Sequence, residues 1–376
     1  MRQTGLRMLS WLRREPVLCI SAVSAALSML LTPPSAAYLN YVDWRVISLL
    51  FCLMAVVAGL QDCGVFAVLA QRLLAGEKRL RFVTLVLVLL PFFTSMLVTN
   101  DVALITFVPF SILVLGLIGR TERLAYVVVL QTIAANLGSM ATPVGNPQNL
   151  YLYATYELTP GQFFTAVLPL VLASLAGLTA AAVWGRPESI RVAFPQPVRV
   201  RRPGRLGLMC LLFVLCLLCV CRLLPYPALV AVVLSALVIF GRDLFRRLDY
   251  ALLLTFVCFF LFAGNVGANP VVREVLTAVL ARNTALASGI ASQVISNVPA
   301  AVLLSGFTAD WRGLLIGVNV GGLGTPIASL ASLISLKAYL RSAGARPGRY
   351  LAVFLLANGI ALAVLCACAW LLGRLQ

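Results

Sequence analysis

The stretch Ala135–Asn149, ANLGSMATPVGNPQN, concentrates polar chemistry in a chain that has little of it elsewhere. Asn136, Ser139, Thr142, Asn146, Gln148 and Asn149 are neutral donors and acceptors, interleaved with Gly138, Pro143 and Gly145. A few fixed polar groups in an apolar setting can orient a small solute or an ion. A second stretch, NVGGLGTPIA at 319–328, repeats the pattern. Asn136 matches Asn319, Gly138 matches Gly321, Thr142 matches Thr325 and Pro143 matches Pro326, with Gly322 beside Gly321. Upstream of each lies a turn: VTNDVALITF (98–107), with Thr99, Asn100 and Asp101, and ISNVPAAVLL (295–304), with Ser296 and Asn297.

The elements that hold these residues must lie in a membrane. Of the 376 residues, 61% are hydrophobic and 11% charged, against about a quarter charged in a soluble domain. Apolar runs near the ~20 residues needed to cross a bilayer recur from end to end. The net charge of +17 does not indicate a nucleic-acid partner, because the basic residues cluster in alternate loops. They fall at Arg2–Arg14, Arg72–Arg81, Arg120–Arg123, Arg186–Arg205, Arg242–Arg247 and Lys337–Arg349, the positive-inside pattern that sets orientation. On that basis the N-terminus is cytoplasmic and the C-terminus is outside. The first apolar run, Val17–Leu31, is taken as a span, although Ser35-Ala36-Ala37 behind it mimics a signal-peptide cleavage site.

The path reads as an all-α polytopic membrane protein with about nine crossing helices, two re-entrant helical hairpins and two broken helices. Residues 1–184 form an N-terminal repeat, 185–205 a basic, Pro-rich cytoplasmic linker, and 206–376 a C-terminal repeat. Trp44–Leu74 is too long for one straight span and carries Gly59, Asp62 and Gly64 near its middle. Val298–Phe307 is too short to cross, so Ser296-Asn297 is the tip of a re-entrant hairpin. The arms 82–98 and 102–119 either form a matching hairpin or span separately. By the charge pattern the two motif copies run in opposite directions, which makes the halves inverted repeats, an architecture of secondary transporters.

Gly/Pro-broken helices survive in hydrocarbon only where protein or an enclosed cavity satisfies the freed backbone groups. At such a break, positive helix ends and N–H groups suit anions or polar oxygens, and free carbonyls suit Na⁺. A packing kink alone is the bland alternative; its recurrence beside matching turns favours a binding site. Asp101 could bind Na⁺, carry a proton, hydrogen-bond a polyhydroxy solute, or simply cap the helix behind it. No Lys or Arg falls at mid-membrane.

Other chemistries are poorly served. With no histidine there is neither a Ser/His dyad nor an HExxH motif, and no P-loop appears. Cys210, Cys216, Cys219 and Cys221 read as packing residues rather than a metal site. No resident metal or organic cofactor is expected.

The paired Asn-bearing tips and the Asn-x-Gly…Thr-Pro breaks resemble the ion transporter superfamily, which includes citrate and dicarboxylate carriers, arsenite permeases and one class of Na⁺/H⁺ antiporters. TNDVALITFVPF, GSMATPVGNPQNLYLY and SNVPAAVLL most resemble its bacterial anion-permease-like branch. The resemblance spans nearly the whole chain and implies a homodimer in which a scaffold carries a mobile transport domain in elevator fashion. Thr99-Asn100 and Ser296-Asn297 match the Ser-Asn-Thr tips of the dicarboxylate carriers, and the breaks 136–149 and 319–332 complete the sites. Asp101 and Val298 stand where those tips carry threonine, and the Asn-Asp pair is closer to the arsenite permeases. The expectation is a permease for a small polar or anionic solute, coupled to H⁺ or Na⁺, with Na⁺ near Asn100, Asp101, Asn136, Asn297 and Asn319. An arsenite-type or Na⁺/H⁺ antiporter, or a channel, stands as the alternative. The expected partners are the lipid bilayer, the solute and a second copy of the chain.

Overall fold

The computed structural model describes residues 15–30, 32–35, 38–184, 187–194 and 196–373. The Arg2–Arg14 cluster and most of the Ser35-Ala36-Ala37 site lie outside them. The first half runs α1 (Pro16–Ser28), α2 (Trp44–Asp62), α3 (Val65–Leu74), β1 (Gly76–Arg79), α4 (Leu80–Thr94), α5 (Asn100–Leu117), α6 (Leu124–Ser139), α7 (Pro147–Thr155) and α8 (Pro160–Ala182). The second runs β2 (Ser189–Val192), α9 (Pro203–Val220), α10 (Tyr226–Phe240), α11 (Tyr250–Gly267), α12 (Pro270–Arg282) and α13 (Thr284–Ile295). It ends with α14 (Asn297–Ser305), α15 (Trp311–Val320), α16 (Leu330–Leu340) and α17 (Pro347–Leu371). Six of the described helices (α2, α5, α8, α9, α11 and α17) are each long and apolar enough to cross a membrane.

The over-long segment 44–74 is resolved by a break. Gly64 takes φ +76°, a left-handed conformation open to glycine, and separates α2 from α3. Helix α12 occupies 270–282 and turns through 117° into α13. Helices α13 and α14 have 12 and 9 residues. At ~1.5 Å per residue they reach about 18 and 14 Å, well short of the ~30 Å hydrocarbon core. They form the re-entrant hairpin, with Ser296 between them.

The two broken helices occupy the centre. Every residue of α6 except Tyr126 is buried, the polar Gln131, Thr132, Asn136 and Ser139 included. Around this centre the halves exchange contacts. Hairpin arm α4 packs on α6 as α13 packs on α15, whereas α16 packs on α5 and α7 on α14. Outside them, α1 packs on α11, and α2 on α9 and α10. Close approach of hairpin and broken helix needs glycine. A Cβ on Gly138 would lie 2.1 Å from the Phe92 carbonyl oxygen, and one on Gly321 would lie 2.7 Å from Gly289 Cα.

The expected linker is a strap with defined contacts. Strand β2 pairs antiparallel with β1, Gly76 opposite Val192 and Arg79 opposite Ser189. This small ribbon is an addition to an otherwise helical fold. Arg120 pairs with Glu188, and the Phe194 ring stacks on Phe110 with centroids 5.9 Å apart. Gln71 Nε2 donates to the Gln196 carbonyl at 2.8 Å, and Arg201 N–H to that of Cys63 at 2.9 Å. Asp62, at the end of α2, joins an ion-pair cluster. Its carboxylate meets Arg205 Nη1 at 3.3 Å and Arg247 Nη1 at 2.8 Å, and Arg205 Nη2 reaches Asp243 at 2.8 Å. The Arg205 hydrogen bond holds the Asp243 carboxyl below its ordinary range.

Candidate functional site

Each hairpin tip docks on the break of its own half through the same contact. Asn100 N–H donates to the Gly145 carbonyl at 3.2 Å, and Asn297 N–H to the Ala328 carbonyl at 3.0 Å. Gly145 and Ala328 hold equivalent places in the two motif copies. The threonines repeat as well. Thr142 Oγ1 donates to the Met96 carbonyl at 2.5 Å, and Thr325 Oγ1 to the Gln293 carbonyl at 3.3 Å. The tip of the 82–119 segment thus meets the break between α6 and α7, and its second arm, α5, is long and apolar enough to cross a membrane.

The two breaks touch each other. Asn146, the N-cap of α7, uses Oδ1 to accept from Asn149 N–H at 2.8 Å. Its Nδ2 donates to Asn319 Oδ1 and to Ser139 Oγ, both at 3.1 Å. In return, Ser329 Oγ donates to Asn136 Oδ1 at 3.0 Å, and Asn100 Nδ2 reaches the same oxygen at 3.0 Å. Asn319 Nδ2 donates to Asn149 Oδ1 at 2.7 Å. Side-chain amides thereby replace water in satisfying a polar centre buried among apolar helices.

Freed carbonyls are plugged differently in the two copies. In the first, Asn149 Nδ2 faces the carbonyls of Ser139, Met140 and Thr142 at 3.1–3.3 Å. In the second, Gln293 Nε2 donates to the Gly321 and Leu323 carbonyls at 2.6 and 2.7 Å, and its Oε1 accepts from Thr325 N–H at 3.0 Å. The second tip is strained. Ser296 has φ +74° and ψ +155°, a region that side chains other than glycine's rarely occupy.

A cavity of about 380 Å³ opens beside the first tip and break. Thr99, Asp101, Val144, Asn146 and Pro147 form its inner end, and α16 contributes Leu330, Leu333 and Ile334. Opposite lie Leu50, Leu53, Met54 and Val57 of α2, with α1 and α11. Glu15, Arg247, Asp249 and Lys337 stand on the lining at the ends of elements. Burial lifts the Glu15 carboxyl above its ordinary range, Asp249 adds to the rise and Lys337 opposes it. Asp101 is not the cap of α5, which begins one residue earlier with Thr99 at the N-cap position. Its Oδ1 is enclosed and has no hydrogen-bond donor.

Of the residues selected from sequence, Thr99, Asp101 and Asn146 line this cavity, while Asn136, Ser139, Asn149 and Asn319 form the amide crossing behind it. Gly138, Thr142, Pro143 and Gly145 shape the first break, and Gln148 is buried in the first turn of α7. Ser296, Asn297, Gly321, Gly322, Thr325 and Pro326 belong to the second tip and break, away from the cavity lining. Gln293, Ser329 and Ser332 were missed as individual site residues. Extending the alignment would have paired Asn146 with Ser329, Asn149 with Ser332 and Met96 with Gln293.

A centrally buried pair of broken helices, capped by hairpins and flanked by a cavity, defines a polytopic helical transporter. The chain belongs to the citrate transporter family, whose model matches residues 6–310. It is 30% identical over 317 residues to an uncharacterized transporter of Methanocaldococcus jannaschii, covering 84% of this chain and 86% of that protein. It is 30% identical over 303 residues to the inner membrane protein YbiR of Escherichia coli, covering 79% and 80%. The silicon efflux transporter LSI3 of Oryza sativa subsp. japonica is 32% identical over 138 residues, covering 36% of this chain and 27% of that protein.

Proposed function

We propose that this family member is a secondary active transporter that carries a small polar or anionic solute, coupled to H⁺ or Na⁺. The observation that carries this reading is the reciprocal joining of the two breaks, Asn146 to Asn319 and Ser329 to Asn136, behind a cavity that contains Asp101. The cavity lies between helices α1, α2 and α11 on one side and the first tip, α7 and α16 on the other. That division supports an elevator motion in which the hairpins and broken helices slide as one body past a fixed scaffold, with two copies joined through scaffold helices. Arg247 and Asp249 lie between α10 and α11 and Lys337 in the last turn of α16, all at ends that the basic-residue pattern assigns to the cytoplasm, so the cavity faces inward. The same pattern, with the name of the Escherichia coli relative, supports an inner-membrane location. Asp101 is the candidate coupling group, binding a proton or contributing to a Na⁺ site with Asn100, Asn136, Asn297 and Asn319.

Export is the second reading, favoured by the rice relative's name. The test is flux of citrate, succinate, sulfate, arsenite and Na⁺ into proteoliposomes under imposed H⁺ or Na⁺ gradients. Gradient-driven flux that is abolished by both Asn136→Ala and Asn319→Ala in folded protein is the expected result. Ungated flux that ignores both gradients would make the protein a channel, and normal transport by both variants would remove the site.

A further inference from the structure

A second cavity, of about 290 Å³, lies at the cytoplasmic end of the protein. The end of α2 supplies Asp62 to its lining, the linker strap supplies Arg199 and Arg201, and the α10–α11 connection supplies Arg247. The strap is held in place by its backbone. Gln71 Nε2 donates to the Gln196 carbonyl at 2.8 Å, and Gln71 Oε1 accepts from Val198 N–H at 2.6 Å. Three residues on, Arg201 N–H donates to the Cys63 carbonyl at 2.9 Å. Residues 199 and 201 lie outside any helix, and both reach the lining while Val200 between them does not. Alternate side chains of a non-helical stretch share one side.

Three guanidinium groups thus share this volume with one carboxylate, a surplus of two positive charges. The carboxylate is already divided: Asp62 Oδ1 lies 2.8 Å from Arg247 Nη1, and Oδ2 lies 3.3 Å from Arg205 Nη1. Among the described residues, neither Arg199 nor Arg201 forms an ion pair. A cleft lined by one sign of charge focuses its field and concentrates counter-ions. Each guanidinium is a planar fork that donates paired N–H groups to an oxyanion. A carboxylate offers two oxygens in one plane, which one fork uses up. A phosphate group offers oxygens in several directions, and so accepts from forks that arrive from both the strap and the α10–α11 connection. The volume admits a phosphate group with several waters, each taking about 30 Å³. The basic-residue pattern puts this end in the cytoplasm, where the anionic headgroups of the inner leaflet and free phosphate both meet it.

We propose that the cavity between Arg199, Arg201 and Arg247 binds a phosphate group, from an anionic phospholipid headgroup or from free phosphate. The site stands apart from the amide crossing and does not depend on which solute is carried. Gln61 and Arg247 also line the 380 Å³ cavity, so a phosphate seated here stands at that cavity's rim.

The test uses the full chain in detergent, with the melting temperature read against ligand concentration to give an affinity. The probes are inorganic phosphate, short-chain phosphatidylglycerol, short-chain phosphatidylcholine as the zwitterionic control, and succinate. The expected result is saturable stabilisation by phosphate or phosphatidylglycerol, at least tenfold tighter than by succinate or phosphatidylcholine. Stabilisation by phosphatidylglycerol alone identifies a lipid headgroup as the source, and stabilisation by phosphate identifies the free anion. Arg199→Gln with Arg201→Gln should weaken binding at least tenfold. Both side chains are exposed and glutamine keeps the backbone N–H that fastens the strap, so the ligand-free melting temperature should not change. Arg199→Lys with Arg201→Lys, which keeps the charge and loses the forks, should weaken binding less. Arg349→Gln, an exposed arginine away from the cavity, should leave it within twofold. Succinate binding as tightly as either phosphate probe would overturn the ligand class, as would phosphatidylcholine matching phosphatidylglycerol. Unaltered affinity in the glutamine double variant would overturn the location, and no response to either phosphate probe would remove the site.

Discussion

The hydroxyl of Ser329 donates to Asn136 Oδ1 at 3.0 Å, joining residues 193 positions apart in the chain. Its counterpart is the 3.1 Å bond from Asn146 Nδ2 to Asn319 Oδ1. In each, the residue that follows one break grips the asparagine that precedes the other. A pair of equivalent contacts exchanged in this way is what a twofold relation between halves produces. It also makes the two breaks one mechanical unit.

The two asparagines are not equally loaded. Asn319→Ala strips Asn149 Oδ1 of its donor and Asn146 Nδ2 of one acceptor, all deep in the protein. This variant should lose about 2–3 kcal/mol of stability. Asn136→Ala strips Asn100 Nδ2 and Ser329 Oγ of their acceptor but removes an amide N–H that has no partner of its own, so it should lose about 1–2 kcal/mol. Thermal unfolding in detergent measures the order; a larger loss at Asn136 would contradict it.

The open side of the crossing can be closed by copying the other side. Asn149 Oδ1 accepts from Asn319, whereas Ser332, the equivalent residue, is fully buried with no partner for its Oγ. Ser332→Asn should supply an acceptor to Asn136 Nδ2, raise stability by about 1 kcal/mol and slow flux by stiffening the crossing. A lower melting temperature would mean that the site has no room for the larger amide.

Gly138→Ala should prevent correct packing. Its Cβ would fall 2.1 Å from a backbone oxygen of α4, an atom that cannot swing aside. A loss of at least about 3 kcal/mol, seen as poor yield of folded protein, is expected. Gly161→Ala, where a Cβ meets nothing within 4 Å, is the control and should be nearly neutral.

The Arg205 cluster should give an acid-sensitive term. The folded state holds the Asp243 carboxyl below its ordinary range, so the folded chain binds this proton less readily than the unfolded chain. The pair's contribution is therefore complete above the unfolded value of about 4 and is lost as pH falls through the lower folded value. Arg205→Ala should cost on the order of 2 kcal/mol at pH 7, less than a fully buried pair because Asp243 is half exposed. Asp243→Asn should weaken the protein at pH 7 and make little difference once the wild-type carboxyl is protonated. An effect independent of pH would assign the loss to packing.

Much of the architecture was legible because membrane physics writes it in composition. Apolar runs, basic loops and the duplicated Asn-x-Gly…Thr-Pro motif place the helices, their breaks and the short hairpin at Ser296-Asn297. Several features were not legible. Gln293 plugs the second break from the neighbouring hairpin, and its type and position give no local sign of that. The linker read as a basic spacer, yet Phe194 stacks on Phe110 of α5 and Gln71 of α3 bonds to it, fastening it to both helices.

By itself the sequence determined the solvent of this protein, its helices and the two places where those helices must break. These follow from local rules: apolar length, glycine and proline geometry, and the need to satisfy a backbone in hydrocarbon. Only the tertiary structure decided that the breaks bind each other, that a cavity opens beside the first tip, and that Asp101 lies on its lining rather than at the cap of a helix. Those outcomes depend on which distant atoms compete for each donor and acceptor, and that competition is settled by packing across the whole chain.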